Sequence, residues 1–292
     1  MPKIGGEPGA SPWKAAVALL VLVLAGGRGV GASAADLSRL NEEFTKQEKI
    51  YRSRGAEVPG GYVTYRTLAA YAELLPSGFD TALRRLDSKD RWLDIGAGGG
   101  QAILDYYAEN DTVSRGKARA VALSIEDRRT DEWRQRAAKP GGAGMRYLFG
   151  KRLREYSYEE LGKFQIITDV YGGFSYTENL SLFLERVFGL LETNGSFYTL
   201  LASVRLENGK DDPDKVWYLT ELVDAAGRDV KVCSWLKGLP CMKVACESKS
   251  DWHTPTELIH VRKVCGNVAV PRTKLLLYEA GQPPGRRFQL EP

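Results

Sequence analysis

A glycine-rich turn after a short apolar run is the segment of the sequence with the clearest chemical meaning. Residues 91–101 read RWLDIGAGGGQ, which predicts a strand, a tight turn and the start of a helix. Because glycine has no Cβ, such a turn lets the backbone approach a ligand closely, and the helix start favours anionic groups. Gln101 stands where a GxGxxG dinucleotide motif needs its last glycine. Asp94, on the strand, can interact with the positively charged end of a ligand.

An acidic residue on a strand followed by a GxGxG turn resembles the first motif of the class I S-adenosylmethionine-dependent methyltransferases, which have a Rossmann-like α/β fold. Asp94, Gly96, Ala97, Gly98 and Gly100 carry the motif here. The resemblance implies S-adenosylmethionine as the cofactor, held by these residues, in an exported bacterial member of the family with an unidentified substrate. A glycine-rich turn in some other α/β sheet is the alternative interpretation.

The resemblance continues over residues 62–264. The run 164–170, FQIITDV, looks like the family's fourth strand, and 191–195, LETNG, stands where the family has the turn before strand five. The segments 241–246 and 258–264 are similar to strands six and seven. These matches imply a mostly parallel sheet with an antiparallel strand seven, preceded by an N-terminal helical cap.

Three positions depart from the family pattern on the side that would hold the nucleoside. The family usually has an acidic residue at the end of strand two, which accepts both ribose hydroxyls. Ser124 stands there, and Glu126 follows two residues later, on the same strand face. Both are candidate cofactor contacts, although Glu126 is also typical of a solvated loop. Lys151 replaces a residue that often contacts adenine, and a lysine cannot accept a hydrogen bond. Gln165 replaces the aspartate that commonly opens strand four.

The segment after strand four is where the family places residues that face the transferred methyl group. Asp169, Tyr171, Phe174 and Tyr176 occupy it. Methyl transfer requires alignment of donor and nucleophile and, for some acceptors, removal of a proton. Asp169 is the candidate base or acceptor-orienting group and also a candidate cofactor contact; the alternative is a carboxylate that caps the following turn. Tyr171 and Tyr176 are further candidate catalytic residues.

For two histidines and three tyrosines the sequence gives weaker evidence of a functional role. His253, on the connection between the last two strands of the sheet, is either functional or a surface residue, and His260 is predicted to be structural. Tyr62, Tyr65 and Tyr71 either cover the pocket as a lid or belong to the core.

The elements that must position these residues alternate short apolar runs with amphipathic stretches, which is typical of βαβ units in a mostly parallel sheet. Besides the two late strands, strands are predicted at Trp92–Ile95, Ala120–Ile125, Met145–Phe149, Phe164–Val170, Ser196–Leu201 and Lys274–Tyr278. Helices are predicted at Leu37–Arg52, Tyr65–Leu75, Thr81–Leu86, Gln101–Ala108, Asp131–Ala138, Tyr158–Leu161, Asn179–Leu191 and Val216–Ala226. The predicted organisation is a signal peptide (1–34), a helical cap (35–90), a methyltransferase-like domain (91–280) and a Gly/Pro-rich tail (281–292).

Composition limits the partners of the chain. The 292 residues are 43% apolar and 27% charged, which is ordinary for a globular protein. The 41 basic and 37 acidic side chains are interspersed and give a net charge of +4, which offers no support for a nucleic-acid partner. The family resemblance implies a small-molecule acceptor as the partner, and the oligomeric state is left open.

The N-terminal segment predicts export to the periplasm or the extracellular space. Lys3 and Lys14 precede an apolar run at 15–25, and Ala32-Ser33-Ala34 matches a signal-peptidase site. The run is shorter than the roughly 20 residues of a membrane-spanning helix, which favours a cleavable signal. The alternatives are an uncleaved anchor, which would be the only membrane contact expected, and a buried helix.

Four cysteines, Cys233, Cys241, Cys246 and Cys265, lie close together near the C-terminus. In an exported chain an even number predicts up to two disulfides, and the sequence does not separate the three connectivities. Buried free thiols are one alternative. Zinc is another, but the spacings contain no CxxC pair, and no metal site is predicted.

Three functions are consistent with these patterns. The preferred one is transfer of a methyl group from S-adenosylmethionine to a small molecule, although an exported enzyme needs a supply of its donor outside the cytoplasm. The second is a noncatalytic exported binding protein that keeps the fold and has lost the donor site, as Ser124, Lys151 and Gln165 suggest. The third is aminopropyl transfer from a decarboxylated donor, for which the sequence shows no carboxylate-rich polyamine pocket.

Overall fold

The computed structural model describes residues 65–108, 116–201, 203–205, 216–218, 220–249, 256–279 and 285–292. All of them belong to the unit that spans Ile50–Pro292. The signal segment, the helix expected at Leu37–Arg52, Tyr62 and His253 lie outside the described residues. Among the described helices, none combines the length and apolar character needed to cross a bilayer.

The described strands and helices are numbered in chain order. The strands are β1 Arg91–Ile95, β2 Arg119–Leu123, β3 Met145–Leu148, β4 Phe164–Asp169, β5 Leu191–Leu201, β6 Ser203–Arg205, β7 Val216–Tyr218, β8 Thr220–Val223, β9 Asp229–Val230, β10 Met242–Lys249, β11 Thr256–Lys263, β12 Thr273–Glu279 and β13 Gly285–Leu290. The helices are α1 Leu68–Leu74, α2 Phe79–Arg84, α3 Gln101–Ala108, α4 Asp131–Ala137, α5 Tyr158–Leu161, α6 Gly173–Tyr176, α7 Leu180–Leu190 and α8 Val232–Lys237.

A seven-stranded sheet organises the fold, in the order β10-β11-β5-β4-β1-β2-β3. The five strands from β3 to β5 are parallel, and β11 is antiparallel to both of its neighbours. Strands β1, β2 and β4 are buried over most of their length, as expected of apolar runs whose two faces are both covered. This is the Rossmann-like sheet with an antiparallel strand seven, β11, that the sequence predicts.

The strand order reverses direction between β1 and β4. From β1 the chain runs outward through β2 and β3, and it then returns to place β4 and β5 on the other side of β1. At such a switch point the connections leave the two strands in opposite directions, which opens a crevice at their carboxyl ends. The glycine turn after Ile95 and the segment after Asp169 therefore meet at the crevice.

Two apolar cores cover the faces of the large sheet. One contains α7, β5, β11 and residues of α8 and β13, with Phe188, Phe197 and Phe288 among its buried members. The other contains α1, α2 and α3, with Tyr71, Phe79 and Ile103 among its members. Burial of such side chains is the main source of stability in a fold of this kind.

Helix α7 shows how local sequence sets one element of this framework. The Asn179 side chain accepts a hydrogen bond from the Leu182 amide at 3.1 Å and caps the helix start. At the helix end, the buried Lys263 ammonium donates to the carbonyls of Phe188 and Leu191 at 2.9 and 3.1 Å. A cation at the C-terminus satisfies carbonyls that the helix leaves unpaired. The helix is thereby tied to β11, where Lys263 is the last residue.

The prediction for residues after β5 is wrong in one element and incomplete in another. The helix expected at Val216–Ala226 is instead the strands β7 and β8. A second, four-stranded sheet has the order β12-β13-β8-β9, so the Gly/Pro-rich tail expected from residue 281 contains the strand β13. Pairing with β13, over sixty residues away along the chain, accounts for the strand at β8, because strand formation depends on cross-strand partners.

Two disulfides join all four cysteines, and no described cysteine is free. Cys233 pairs with Cys246 and joins α8 to β10. Cys241 pairs with Cys265 and joins the residue before β10 to the segment just after β11. The disulfide prediction is confirmed over the free-thiol alternative. Disulfides persist in oxidising compartments, so the pairings are consistent with an exported chain.

Candidate functional site

The glycine turn after β1 adopts the conformation that its residue types predicted. Gly96, Gly98 and Gly100 have φ values of 75°, 54° and 79°, a region that other residues rarely enter. A Cβ built on Gly96 would lie 2.5 Å from the Cα of Gly172, in the segment after β4. The turns that follow β1 and β4 are thus in direct backbone contact, and glycine is required there for packing within the protein.

Asp94 is the central acidic residue of the crevice, and it is fully buried. Its carboxylate accepts hydrogen bonds from the Tyr71 hydroxyl at 3.0 Å and from the Thr168 hydroxyl at 2.8 Å. The Trp92 indole donates in turn to the Thr168 hydroxyl at 2.9 Å. Burial raises the pKa of Asp94 to about 7, because desolvation penalises the charged form more than these donors favour it.

Tyr71 reaches Asp94 from helix α1. The Thr67 hydroxyl caps α1 by accepting from the Ala70 amide at 3.2 Å, and the Asp105 carboxylate accepts from the Leu68 amide at 2.9 Å. These contacts fix the first turn of α1 against α3 and point the buried Tyr71 at β1. The tyrosine that the sequence left as lid or core is therefore a core residue that also closes over the acidic centre.

Asp169 is buried at the carboxyl end of β4. Its two carboxylate oxygens accept from the amides of Gly172 and Phe174, both at 2.9 Å. Burial raises its pKa to about 7, against the lowering effect of those amides. The carboxylate thus caps the turn into α6, which was one of the two roles its position suggested.

Tyr171, two residues after Asp169, has an unusual backbone conformation. Its φ of 54° is rare for a bulky residue and indicates a turn held in place by its surroundings. The Arg66 guanidinium lies 5.0 Å from the centre of the Tyr171 ring. Tyr176 is the last residue of α6. Tyr171 and Tyr176 are both half-buried, and both lie in the segment that follows Asp169 and contacts the glycine turn through Gly172.

The last strand of the chain supports the same turn. Arg286 of β13 is 2% exposed, and its guanidinium donates to the Thr177 carbonyl at 2.7 Å and to the Thr220 hydroxyl of β8. Desolvation lowers the pKa of Arg286 to about 10, while the nearby Asp169 carboxylate opposes that shift. The end of α6 is therefore held by the second sheet.

The nucleoside side of the predicted site, at the ends of β2 and β3, is different. Ser124 follows β2 and is half-buried, whereas Glu126 is exposed and pairs with Arg128 at 2.5 Å. The Tyr147 hydroxyl of β3 donates to the carbonyl of Gly98 in the glycine turn and accepts from the Arg128 amide at 3.3 Å. Burial raises the pKa of the Tyr147 phenol, and the adjacent Ser124 side chain partly offsets the shift.

Aromatic and charged side chains extend this arrangement around Tyr147. The Trp133 ring packs edge-on at 5.4 Å, and a Cβ on Gly100 would lie 2.5 Å from that ring. The Arg129 guanidinium lies 5.7 Å from the Tyr147 ring centre and 5.0 Å from that of Phe149. The Arg129 guanidinium is also paired with Asp127 at 2.7 Å. Protein side chains thus occupy the surface between the glycine turn and β2.

Two other departures from the family pattern are explained by local contacts. Gln165 accepts from the Arg91 amide at 2.6 Å, at the amino ends of the strands and away from the crevice. Lys151 pairs with Glu160 at 3.3 Å on the surface. His260 contacts the Ser196 hydroxyl at 2.9 Å and stacks on Tyr198, which matches its predicted structural role. Of the three substitutions, Ser124 is the one that lies beside Tyr147, whose hydroxyl contacts the glycine turn.

Sequence reasoning missed the importance of Thr168, Trp133 and Tyr147. Thr168 had a weak signal, because it is a polar residue that follows two buried isoleucines on the strand that ends at Asp169. Tyr147 had one as well, since a tyrosine near the end of a short strand carries a polar tip that needs a partner. Neither signal identifies the partner.

The strand order and the position of the glycine turn define the fold as that of the class I methyltransferases. No family model and no curated protein matches the chain. Among solved structures, the N-terminal domain of EvdMO1 with SAH bound is 13% identical, with 75% of this chain and 97% of that chain covered and a TM-score of 0.43. The antibiotic-resistance methyltransferase Kmr is 14% identical, with 64% and 92% covered and a TM-score of 0.40. A methyltransferase from Listeria monocytogenes described as S-adenosylmethionine dependent is 15% identical, with 63% and 97% covered and a TM-score of 0.39.

Proposed function

We propose that the chain binds S-adenosylmethionine in the crevice between β1 and β4 and transfers its methyl group to a small molecule. The observation that carries the proposal is the glycine turn, with three positive φ values, at the switch point of a class I methyltransferase sheet. Ligands of open α/β sheets bind at the carboxyl ends of the strands beside such a switch.

The residues around the turn fit the donor on its amino-acid side. Gly96 and Gly98 expose backbone at the crevice, and Asp94 and Asp169 place two carboxyl groups beneath it, a suitable environment for a cationic ligand. S-adenosylmethionine supplies an electrophilic methyl group when bound. The protein contributes alignment, because Asp169 and Arg286 fix the turn that carries Tyr171 and Tyr176. We assign Asp169 a positioning role, since both of its oxygens are used by backbone amides.

Titration calorimetry of the purified protein with S-adenosylhomocysteine tests the donor site directly. We expect saturable binding below millimolar concentration, weakened tenfold or more in Gly98→Val, because a branched side chain is strained at φ 54° and enters the crevice. Gly227→Val is the matched control, with φ 78° in the turn between β8 and β9 and open space around it. No binding by the unmodified protein would refute the donor site.

A noncatalytic binding protein on the same fold is the second candidate, and Tyr147 favours it. Its hydroxyl already donates a hydrogen bond to the Gly98 carbonyl of the glycine turn, and Ser124 stands where the family usually has an acidic residue. The two candidates differ in turnover. Incubation with methyl-labelled S-adenosylmethionine and a mixture of small-molecule nucleophiles is expected to transfer label if the chain is an enzyme, whereas saturable binding without any transfer supports the second candidate.

We further propose that the chain is exported through cleavage near Ala35. The two disulfides support this proposal, because such bonds persist in oxidising compartments. Mass measurement of the protein from its native host is expected to place the N-terminus at or near Ala35. Alkylation of the unfolded, unreduced protein is expected to label no cysteine. Recovery of a cytoplasmic protein with Met1 intact would contradict the proposal.

A further inference from the structure

The Tyr147 hydroxyl bridges the two segments that a bound nucleoside would have to connect. It donates to the Gly98 carbonyl of the glycine turn, and it lies 3.4 Å from the carbonyl of Glu126 and 3.3 Å from the amide of Arg128. Tyr147 is held in this position by its pairing with Ala122 of β2. One phenol thus links the turn that follows β1 to the segment that follows β2.

The chemistry of this phenol resembles that of a sugar hydroxyl. Both are neutral groups that donate one hydrogen bond and accept others. In the class I pattern, a carboxylate at the end of strand two accepts from the ribose, and this chain has Ser124 there. A short serine side chain leaves room that a carboxylate would fill, and Tyr147 lies beside it.

Neighbouring groups hold Tyr147 in place. Trp133 packs against the edge of its ring, and Arg129 lies over the rings of Tyr147 and Phe149, where it is paired with Asp127. A planar guanidinium on an aromatic face occupies the kind of position that a nucleobase takes when it stacks. Phe149 remains 42% exposed, so this stack is open to solvent at its outer end.

We propose that the Tyr147 hydroxyl occupies the ribose position of the donor site, so that a nucleoside ligand binds only by displacing it from Gly98. The inference rests on the proposed function and deepens it, because it makes Tyr147 a determinant of donor affinity. The free energy needed to break the hydrogen bond from Tyr147 to Gly98 therefore reduces the binding free energy of every nucleoside ligand. It acts on the nucleoside half alone, since Asp94 and Asp169 lie on the other side of the glycine turn.

Calorimetry on Tyr147→Phe tests the inference with two probes, S-adenosylhomocysteine and 5′-methylthioadenosine, which lacks the amino-acid tail. Removal of the hydroxyl abolishes the bond to Gly98 and keeps the ring. A neutral hydrogen bond contributes about 0.5–1.5 kcal/mol, so both dissociation constants should fall by roughly twofold to tenfold and by the same factor. Tyr147→Leu removes the hydroxyl together with the ring, and it should likewise lower both dissociation constants if Tyr147→Phe does not fold.

Tyr107→Phe is the matched control. The Tyr107 hydroxyl donates to the Ala118 carbonyl at 2.6 Å, just before β2 and therefore at the amino end of the sheet. Its loss should leave both dissociation constants unchanged. Unchanged or weaker binding in Tyr147→Phe, with good binding by the unmodified protein, would overturn the inference and leave the donor site intact. Absence of binding in both proteins would overturn the inference and the proposed function together.

Discussion

The two halves of the crevice are built on different principles. The half between β1 and β4 contains buried carboxyl groups, Asp94 and Asp169, whose hydrogen bonds come from fixed donors within the protein. The half between β1 and β2 contains exposed ion pairs and an aromatic cluster around Tyr147. The carboxyl groups of the first half are fixed by donors of the protein, while in the second half the Tyr147 hydroxyl itself occupies the hydrogen-bonding position at Gly98. A ligand that spans both halves would therefore meet a preformed surface at one end and a surface to be opened at the other.

The largest effect is expected in the half between β1 and β4, from a glycine substitution that tests backbone contact. Gly96→Ala should lower the free energy of unfolding by about 2–5 kcal/mol, because the added Cβ meets the Cα of Gly172 and φ is positive. Gly227→Ala has a similar φ of 78° and nothing within 4 Å, so it should cost about 1–2 kcal/mol. Urea denaturation measures both values. Equal losses would show that the β1 and β4 turns are not in close contact.

Neutralisation of Asp94 should weaken the binding of the donor more than it lowers the stability of the fold. Asp94→Asn keeps an oxygen that can accept from Tyr71 and Thr168, but it removes the negative charge that would face the ammonium group of the ligand. We expect S-adenosylhomocysteine to bind about tenfold more weakly above pH 7, a loss of about 1.4 kcal/mol. Calorimetry of the two proteins measures it. Equal affinities would remove Asp94 from the donor site.

The buried carboxyls should also make stability depend on pH. The pKa values of Asp94 and Asp169 are raised to about 7, so between about pH 4 and 7 the native chain retains protons that the unfolded chain has released. The free energy of unfolding should therefore fall as the pH rises through that window, by up to about 1.4 kcal/mol per pH unit for each carboxyl. Asp94→Asn should reduce the slope measured by urea denaturation.

Asp127→Asn is the control for this pH effect, because it lies in the other half of the crevice. A hydrogen bond from Arg129 lowers the pKa of Asp127 to about 2, so this group is ionised in both the folded and the unfolded state above about pH 5. Its replacement should leave the slope between about pH 5 and 7 unchanged. A slope that responds equally to Asp127→Asn and Asp94→Asn would remove the distinction between the two halves.

The smallest effect is expected at Glu126. Its carboxylate is exposed and paired with Arg128, and an exposed pair of this kind contributes little to stability or to binding. Glu126→Ala should change the dissociation constant of S-adenosylhomocysteine by less than about twofold. A tenfold loss in calorimetry would mean that Glu126 has taken over the ribose contact expected at Ser124.

The same two halves differ in how far their structure could be predicted from the sequence. The glycine turn, β1 and β4 follow from local signals, and the helices Gln101–Ala108 and Tyr158–Leu161 have the predicted bounds. The contact of Tyr147 with Gly98 joins residues 49 positions apart, and nothing in either segment identifies the other. The prediction of a helix at Val216–Ala226 was wrong for a related reason. The apolar residues of this segment fit helical spacing, and the pairing of β8 with β13 is not visible in the local sequence.

Arg286 has a consequence for the order in which the chain acquires its structure. The Thr177 carbonyl, at the end of the turn that carries Tyr171 and Tyr176, is bound by a residue 109 positions later in the chain. Chains emerge from the ribosome N-terminus first, so this contact forms only after residue 286 has been synthesised. Removal of residues 285–292 would take away Arg286 together with the buried Phe288. A chain without β13 would then lack the support that Arg286 gives to the end of α6.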